Sequence, residues 1–176
     1  MHRAPAAALA AAAVLAAAGC SSHSAAGPAR PSASASPTYL QAPRTARPFE
    51  TPLAGASATG PQVTVAVLGL RAHLSSLIGT HAEWLPRGEY QRLRVVLDNG
   101  SATYREFTTS KLLLVTADGR TYPPDYDAMN IARQPKVATV PAQGRLEMDL
   151  WYDVPKGSTL RALRVLDLGA DVPLPS

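Results

Sequence analysis

Between Arg92 and Tyr122 the chain twice repeats one pattern, an apolar run rich in β-branched residues closed by a turn dipeptide. The first run, Arg92-Leu93-Arg94-Val95-Val96-Leu97, ends in Asp98-Asn99-Gly100. The second, Phe107 to Val115, ends in Thr116-Ala117-Asp118-Gly119, and Arg120-Thr121-Tyr122 follow. Asn-Gly and Asp-Gly beside such runs punctuate antiparallel sheet and predict a hairpin-like core. The four consecutive apolar residues Leu112 to Val115 predict a strand buried on both faces.

The flanking segments extend the pattern. Gln62 to Leu70 alternates, with Val63, Val65 and Val67 facing inward. Tyr90 to Asp98 puts Leu93, Val95 and Leu97 inward. Thr121-Tyr122 and Val137 to Val140 read as short strands ended by proline. Leu146 to Val154 alternates most cleanly: Leu146, Met148, Leu150, Tyr152 and Val154 face the core, and Glu147, Asp149, Trp151 and Asp153 face outward. Leu160 to Leu168 is the last strand, where Leu163 and Val165 compete with Leu166 and Leu168 for the inward face. Residues 71–90 are the least regular, and Asp125 to Lys136 is a loop or one helical turn. No segment keeps helical periodicity over three turns. These features predict an all-β fold, an immunoglobulin-like antiparallel β-sandwich over residues 61–170, with a C-terminal tail at 171–176.

The N-terminal third is of another kind. Met1-His2-Arg3 precedes an Ala-rich apolar run from Ala6 to Ala18, then Gly19-Cys20. This is the layout of a secretory signal peptide over residues 1–19, and the run is too short to span a bilayer, which needs roughly 20 residues. The chain's one cysteine sits directly after Ala17-Ala18-Gly19 and before Ser21-Ser22. That junction resembles the lipobox of bacterial lipoproteins, with Ala17 where leucine is usual, and implies lipid attachment at Cys20. The competing reading is cleavage after Ala16-Ala17-Ala18, a free thiol and a secreted protein. Residues 20–60, rich in Ala, Ser and Pro, read as a disordered linker. Its few large apolar groups, Tyr39-Leu40 and Phe49, are candidates to dock on a partner.

Charge narrows the function. The chain carries 17 Lys+Arg against 13 Asp+Glu, but from residue 61 onward the count is 13 against 12. The basic excess lies in Arg3, Arg30, Arg44 and Arg47, so the folded domain lacks the basic face of a nucleic-acid reader.

The Arg-Val-Val-Leu-Asp-Asn-Gly-Ser run, Leu-Leu-Leu-Val-Thr-Ala-Asp-Gly-Arg-Thr-Tyr, the Pro-Ala-Gln-Gly break and Leu-Trp-Tyr-Asp-Val-Pro-Lys-Gly together resemble the DUF4352 family. These are exported immunoglobulin-like domains of Gram-positive bacteria, related to the mycobacterial secreted antigen MPT63. The resemblance covers about residues 61–170. It implies a fold and an extracytoplasmic location, and it supplies no catalytic residues.

Candidate chemistry is sparse. His73, His81 and Glu83 form one group, with His81 and Glu83 on one strand face, but metal binding or acid–base work needs a third converging ligand. Asp118, Asp125 and Asp127 cluster near a turn without the spacing of a calcium loop. Ser75-Ser76 lies near His73 without a nucleophile elbow. No metal, cofactor or catalytic set is therefore expected. The candidate binding face is aromatic: Trp151, outward by alternation, with Trp84, Tyr122 and Tyr126 in or beside loops. The alternative for Trp151 is cover by a loop or by the linker. The expected function is a membrane-anchored, non-enzymatic interaction module with an unknown extracellular or cell-wall partner. The alternative is a domain that binds a small ligand, a glycan or a metal.

Overall fold

In the computed structural model, residues 45–53, 55–80 and 82–175 are described. The signal peptide, Cys20, the linker as far as residue 44, and His81 lie outside the described residues.

The strands in chain order are β1 (Thr51–Pro52), β2 (Ser57–Thr59), β3 (Val63–Leu74), β4 (Leu77–Ile78), β5 (Glu83–Trp84), β6 (Glu89–Asn99), β7 (Arg105–Thr108), β8 (Leu112–Thr116), β9 (Thr121–Tyr122), β10 (Val137–Val140), β11 (Arg145–Val154), β12 (Leu160–Val165) and β13 (Ala170–Pro173). One short helix, α1 (Tyr126–Ile131), lies between β9 and β10. The first sheet runs β1-β3-β6-β11, with β2 also on β3, and the second runs β13-β12-β8-β9. Every pairing is antiparallel. This is the strand order of an immunoglobulin-like sandwich.

The inward sets follow the alternation. Val65, Val67, Leu93, Val95, Leu97 and Leu150 of the first sheet, and Leu112, Leu114 and Leu163 of the second, share one core. On the last strand Leu163 and Val165 face in. The chain then leaves the strand as a single 3-10 turn, Leu166–Leu168, which resolves the competition between the two parities. The fully buried Tyr152 reaches across the sandwich and donates its hydroxyl to the Leu112 carbonyl at 2.9 Å. Burial pushes that phenol's pKa well up, so the proton stays on the oxygen that donates.

Four expectations are corrected. First, β6 and β8 do not form a hairpin, because they belong to different sheets. Second, the linker does not extend to residue 60. Residues 45–50 form a strap over the outer face of the first sheet. Arg47 pairs with Asp149 at 2.8 Å, Glu50 pairs with Arg92, and Arg94 donates to the Thr45 carbonyl at 3.1 Å. β1 and β2 then add to β3, and Leu53 and Ala58 are buried. Composition predicts disorder here, but two buried apolar side chains and a set of ion pairs are enough to order the segment. Third, the expected tail contains most of β13, whose Val172 is fully buried against β12. Fourth, of the two readings of Trp151 the covered one holds, and the residue does not face water. It is 6% exposed and belongs to the main core together with Ala128 and Met129 of α1. Tyr90 meets its ring edge-on at 5.7 Å, and the Arg92 guanidinium lies 5.8 Å from its centroid. The outer face of β11 is covered because the segment around α1 folds over it: Asp125 N donates to the Trp151 carbonyl, and the Gln134 side chain accepts from Asp149 N.

Candidate functional site

The long β3 delivers the first part of the site. Its pairing with β6 slips between Arg71 and Leu74, and within that slip His73 takes φ +54°, a left-handed conformation rare for histidine. A buried polar pair holds the distortion. Glu89 Oε1 accepts from His73 Nδ1 (2.8 Å), Gln91 Nε2 (2.9 Å) and Gly157 N (3.1 Å), and Gln91 Oε1 accepts from His73 N (3.4 Å). One carboxylate oxygen thus ties β3, β6 and the turn after β11. Glu89 and Gln91 share the inward parity of Leu93, Val95 and Leu97. That parity is the sequence signal for a buried polar pair, and the sequence reading passed over it.

Beyond the distortion the chain turns out into a small hairpin, β4–β5. Gly79 N donates to the Ala82 carbonyl and closes it, and Leu77 roots it in the core. At Gly79 an added Cβ would come 2.8 Å from the Ile131 side chain, so the hairpin leans on the end of α1. Cross-strand pairing sets Leu77 opposite Trp84 and Ile78 opposite Glu83. Ile78 is therefore thrown outward at 82% exposure. Leu85 follows at 67%, and Trp84 is 42% exposed. Among the described residues, these three large apolar side chains on and just after the hairpin are the exposed ones that lie nearest to one another in the chain.

The chain leaves the hairpin through Arg87 and Gly88 into an open cleft of about 760 Å³, lined by Tyr122, Asp125, Asp127, Asp153 and Lys156 among others. Two of its carboxylates are turned toward the protein. Asp153 accepts from Arg87 N (2.8 Å) and Gly88 N (3.0 Å). Asp125 caps α1 by accepting from Asp127 N and Ala128 N, and also accepts from the Tyr90 hydroxyl. Burial and, after it, the Asp125 charge push the Tyr90 phenol's pKa well above its usual value.

The four aromatics expected to share one face are thus dispersed. Trp84 is on the hairpin, Tyr122 lines the cleft, and Trp151 is in the core. Tyr126 is half-buried, with the Lys136 ammonium 4.7 Å from its ring centroid. His73 meets Glu89 rather than Glu83. Asp118 lies away from Asp125, bound to Thr116 and Arg120. Among the described residues no three His, Cys, Asp or Glu side chains are placed to hold a metal ion, and no helix is long and apolar enough to cross a membrane.

No family model matches the chain, and no curated protein sequence is similar to it. Among solved structures the fold is similar to the yjhA protein of Bacillus subtilis, at 13% identity over 61% of this chain and 75% of that one, with a TM-score of 0.44. It is also similar to a conserved hypothetical protein of Bacillus anthracis, at 12% identity over 68% of this chain and 82% of that one, with a TM-score of 0.46.

Proposed function

We propose that the chain is an extracytoplasmic lipoprotein held to the cell membrane through Cys20, with a non-enzymatic immunoglobulin-like domain of the DUF4352 type that serves as an interaction module. The observation that carries the interaction reading is the β4–β5 hairpin, where Ile78 on one face, Trp84 on the other and Leu85 just beyond are all exposed to solvent. Burying an Ile or Leu side chain in a partner is worth about 2 kcal/mol, so the hairpin holds enough apolar surface for a specific contact. The polar groups around it, Glu89, Asp125 and Asp153, are occupied by contacts that shape the fold, which favours binding over catalysis.

Two measurements test this. The double variant Ile78→Ser/Leu85→Ser is expected to keep the thermal midpoint, because both side chains are exposed, and to lose the proteins that copurify with wild type from intact cells. Equal recovery by variant and wild type overturns the hairpin as the contact. Intact-mass analysis of the native protein tests the anchor: a mature chain that starts at Ser21 or later, or an unmodified Cys20, overturns it.

The second reading, a glycan or small-ligand site, is favoured by the cleft in which Tyr122 stands with the cationic Arg87 and Lys156. A raised thermal midpoint with wall saccharides, calcium or zinc selects this reading, and no change with any of them removes it.

A further inference from the structure

The strap carries an aromatic side chain whose placement works against the stability of the domain. Arg47-Pro48-Phe49-Glu50 is a β-turn closed by Glu50 N donating to the Arg47 carbonyl at 3.1 Å. Proline at the second position and φ +69° at the third define a type II turn. The third position of that turn belongs to Gly or Asn, because a β-carbon there crowds the backbone. Here it is Phe49, and its ring is 90% exposed. The backbone is strained and the side chain gains no burial within the domain.

The turn is nonetheless held in place. Arg47 Nη1 pairs with Asp149 Oδ2 at 2.8 Å, and the Arg47 backbone N–H donates to Glu50 Oε2 at 2.7 Å. The Glu50 side chain, only 1% exposed, pairs with Arg92. It lies against Gly69, where a Cβ would come 2.6 Å from Glu50 Oε2, so the sheet leaves room for this carboxylate by having no side chain there. Charged contacts on both sides of Phe49 fix the backbone that presents the ring. Strain maintained at an exposed residue is a sign of function in trans.

We infer that Phe49 is a docking anchor, presented by the strap to a phenyl-sized apolar pocket on a partner protein. A protein fits better than a lipid surface for two reasons. A fluid bilayer accepts a ring in any orientation, so a fixed presentation gains nothing there, whereas a rigid pocket rewards it by removing the ordering cost of binding. The charges beside the ring, Arg47 and Glu50, are already paired with Asp149 and Arg92, so the turn offers no net charge to draw it to an anionic bilayer. The inference rests on the proposed interaction role, but the strap tip is a separate surface from the β4–β5 hairpin.

The test places a photo-reactive benzoyl-phenylalanine in the full chain, in the cells that make it, at Phe49, at Ile78, or at Tyr104, which is 73% exposed and serves as control. Position 49 is expected to give an adduct with one protein identified by mass, and position 104 none. Against that protein in purified form, Phe49→Ala is expected to bind roughly ten-fold more weakly than wild type. Its thermal midpoint should not fall, and that of Phe49→Gly should rise as the turn strain is relieved. Adducts at 49 with lipid only, with second copies of the chain only, or with nothing overturn the inference, as does Phe49→Ala binding within two-fold of wild type. A protein adduct at 78 with none at 49 overturns the strap anchor and leaves the hairpin reading standing. The reverse pattern removes the hairpin, and no protein adduct at either position removes both.

Discussion

Asn99-Gly100 and Asp118-Gly119 look alike in sequence and do opposite things in the fold. At Asp118-Gly119 the chain reverses at once. Gly119 takes φ +83°, Asp118 accepts from the Thr116 hydroxyl and from Arg120, and β9 returns along β8. At Asn99-Gly100 the chain leaves the first sheet and continues into β7, which pairs with β10 in a small sheet of its own. Asn99 is 1% exposed, and its amide donates to the carbonyls of Thr103 (2.8 Å), Val140 (3.1 Å) and Pro141 (3.0 Å). Its oxygen accepts from both the backbone N–H and the hydroxyl of Ser101. One dipeptide acts through the glycine's backbone freedom, the other through the asparagine's side chain. A turn dipeptide predicts that the chain bends there, but the direction of the bend depends on partners up to 42 residues away.

Substitutions can break this contrast. Asn99→Ala is expected to have the largest effect, a loss of about 3 kcal/mol in chemical denaturation, because the bonds of one buried amide to Thr103, Val140, Pro141 and Ser101 are lost together. Asn99→Asp keeps the shape but offers no N–H, and should be at least as damaging; a mild effect would mean that the amide does not act as the donor. Next comes Gly119→Ala, expected to cost about 1 kcal/mol from the positive φ alone, since nothing lies within 4 Å of an added Cβ. Gly100→Ala should be neutral or stabilising by about 0.5 kcal/mol. Its φ is not in the left-handed region, and the added Cβ meets the Gln62 carbonyl at an ordinary 3.6 Å. Equal costs for the two glycine variants would erase the distinction. The smallest effect is in pH dependence. The Thr116 hydroxyl and then Arg120 hold the Asp118 carboxyl at about 2, against 3.8 ordinarily. A lowered carboxyl stabilises the fold above its unfolded value, and that contribution fades as pH falls from about 4 through about 2. Asp118→Asn should therefore show a shallower loss of stability across that window; parallel curves would mean that Asp118 does not titrate with folding.

The contrast also marks what the chain shows of itself in advance. Strand positions and inward parity were legible because a period of two is local: Val63, Val65, Val67, Leu93, Val95 and Leu97 all face the core as alternation requires. Sheet membership was not legible, since β6 and β8 carry equally good strand patterns. Nor was the strap, whose Arg47–Asp149 pair joins residues 102 positions apart. Trp151 stood between two readings, solvent-facing or covered, for a related reason. Alternation separates two faces but cannot say that a helix and a strap cover the second one. Of the candidate site, Trp84 and Tyr122 were legible as loop-borne aromatics. Ile78 and Leu85 were not, because an apolar residue in an irregular stretch gives no sign of whether it roots a hairpin or caps its tip.

The Tyr152 hydroxyl bound to the Leu112 carbonyl ties β11 of one sheet to β8 of the other, a link between sheets of the kind that antibody domains make with a disulfide. A phenol–carbonyl bond is indifferent to redox potential. Thiol reductants and oxidants therefore leave the sandwich as it is, and the domain can hold its shape whichever redox buffer surrounds it. Among the described residues the core takes its sulfur from Met129 and Met148 alone, and no thiol takes part in the packing.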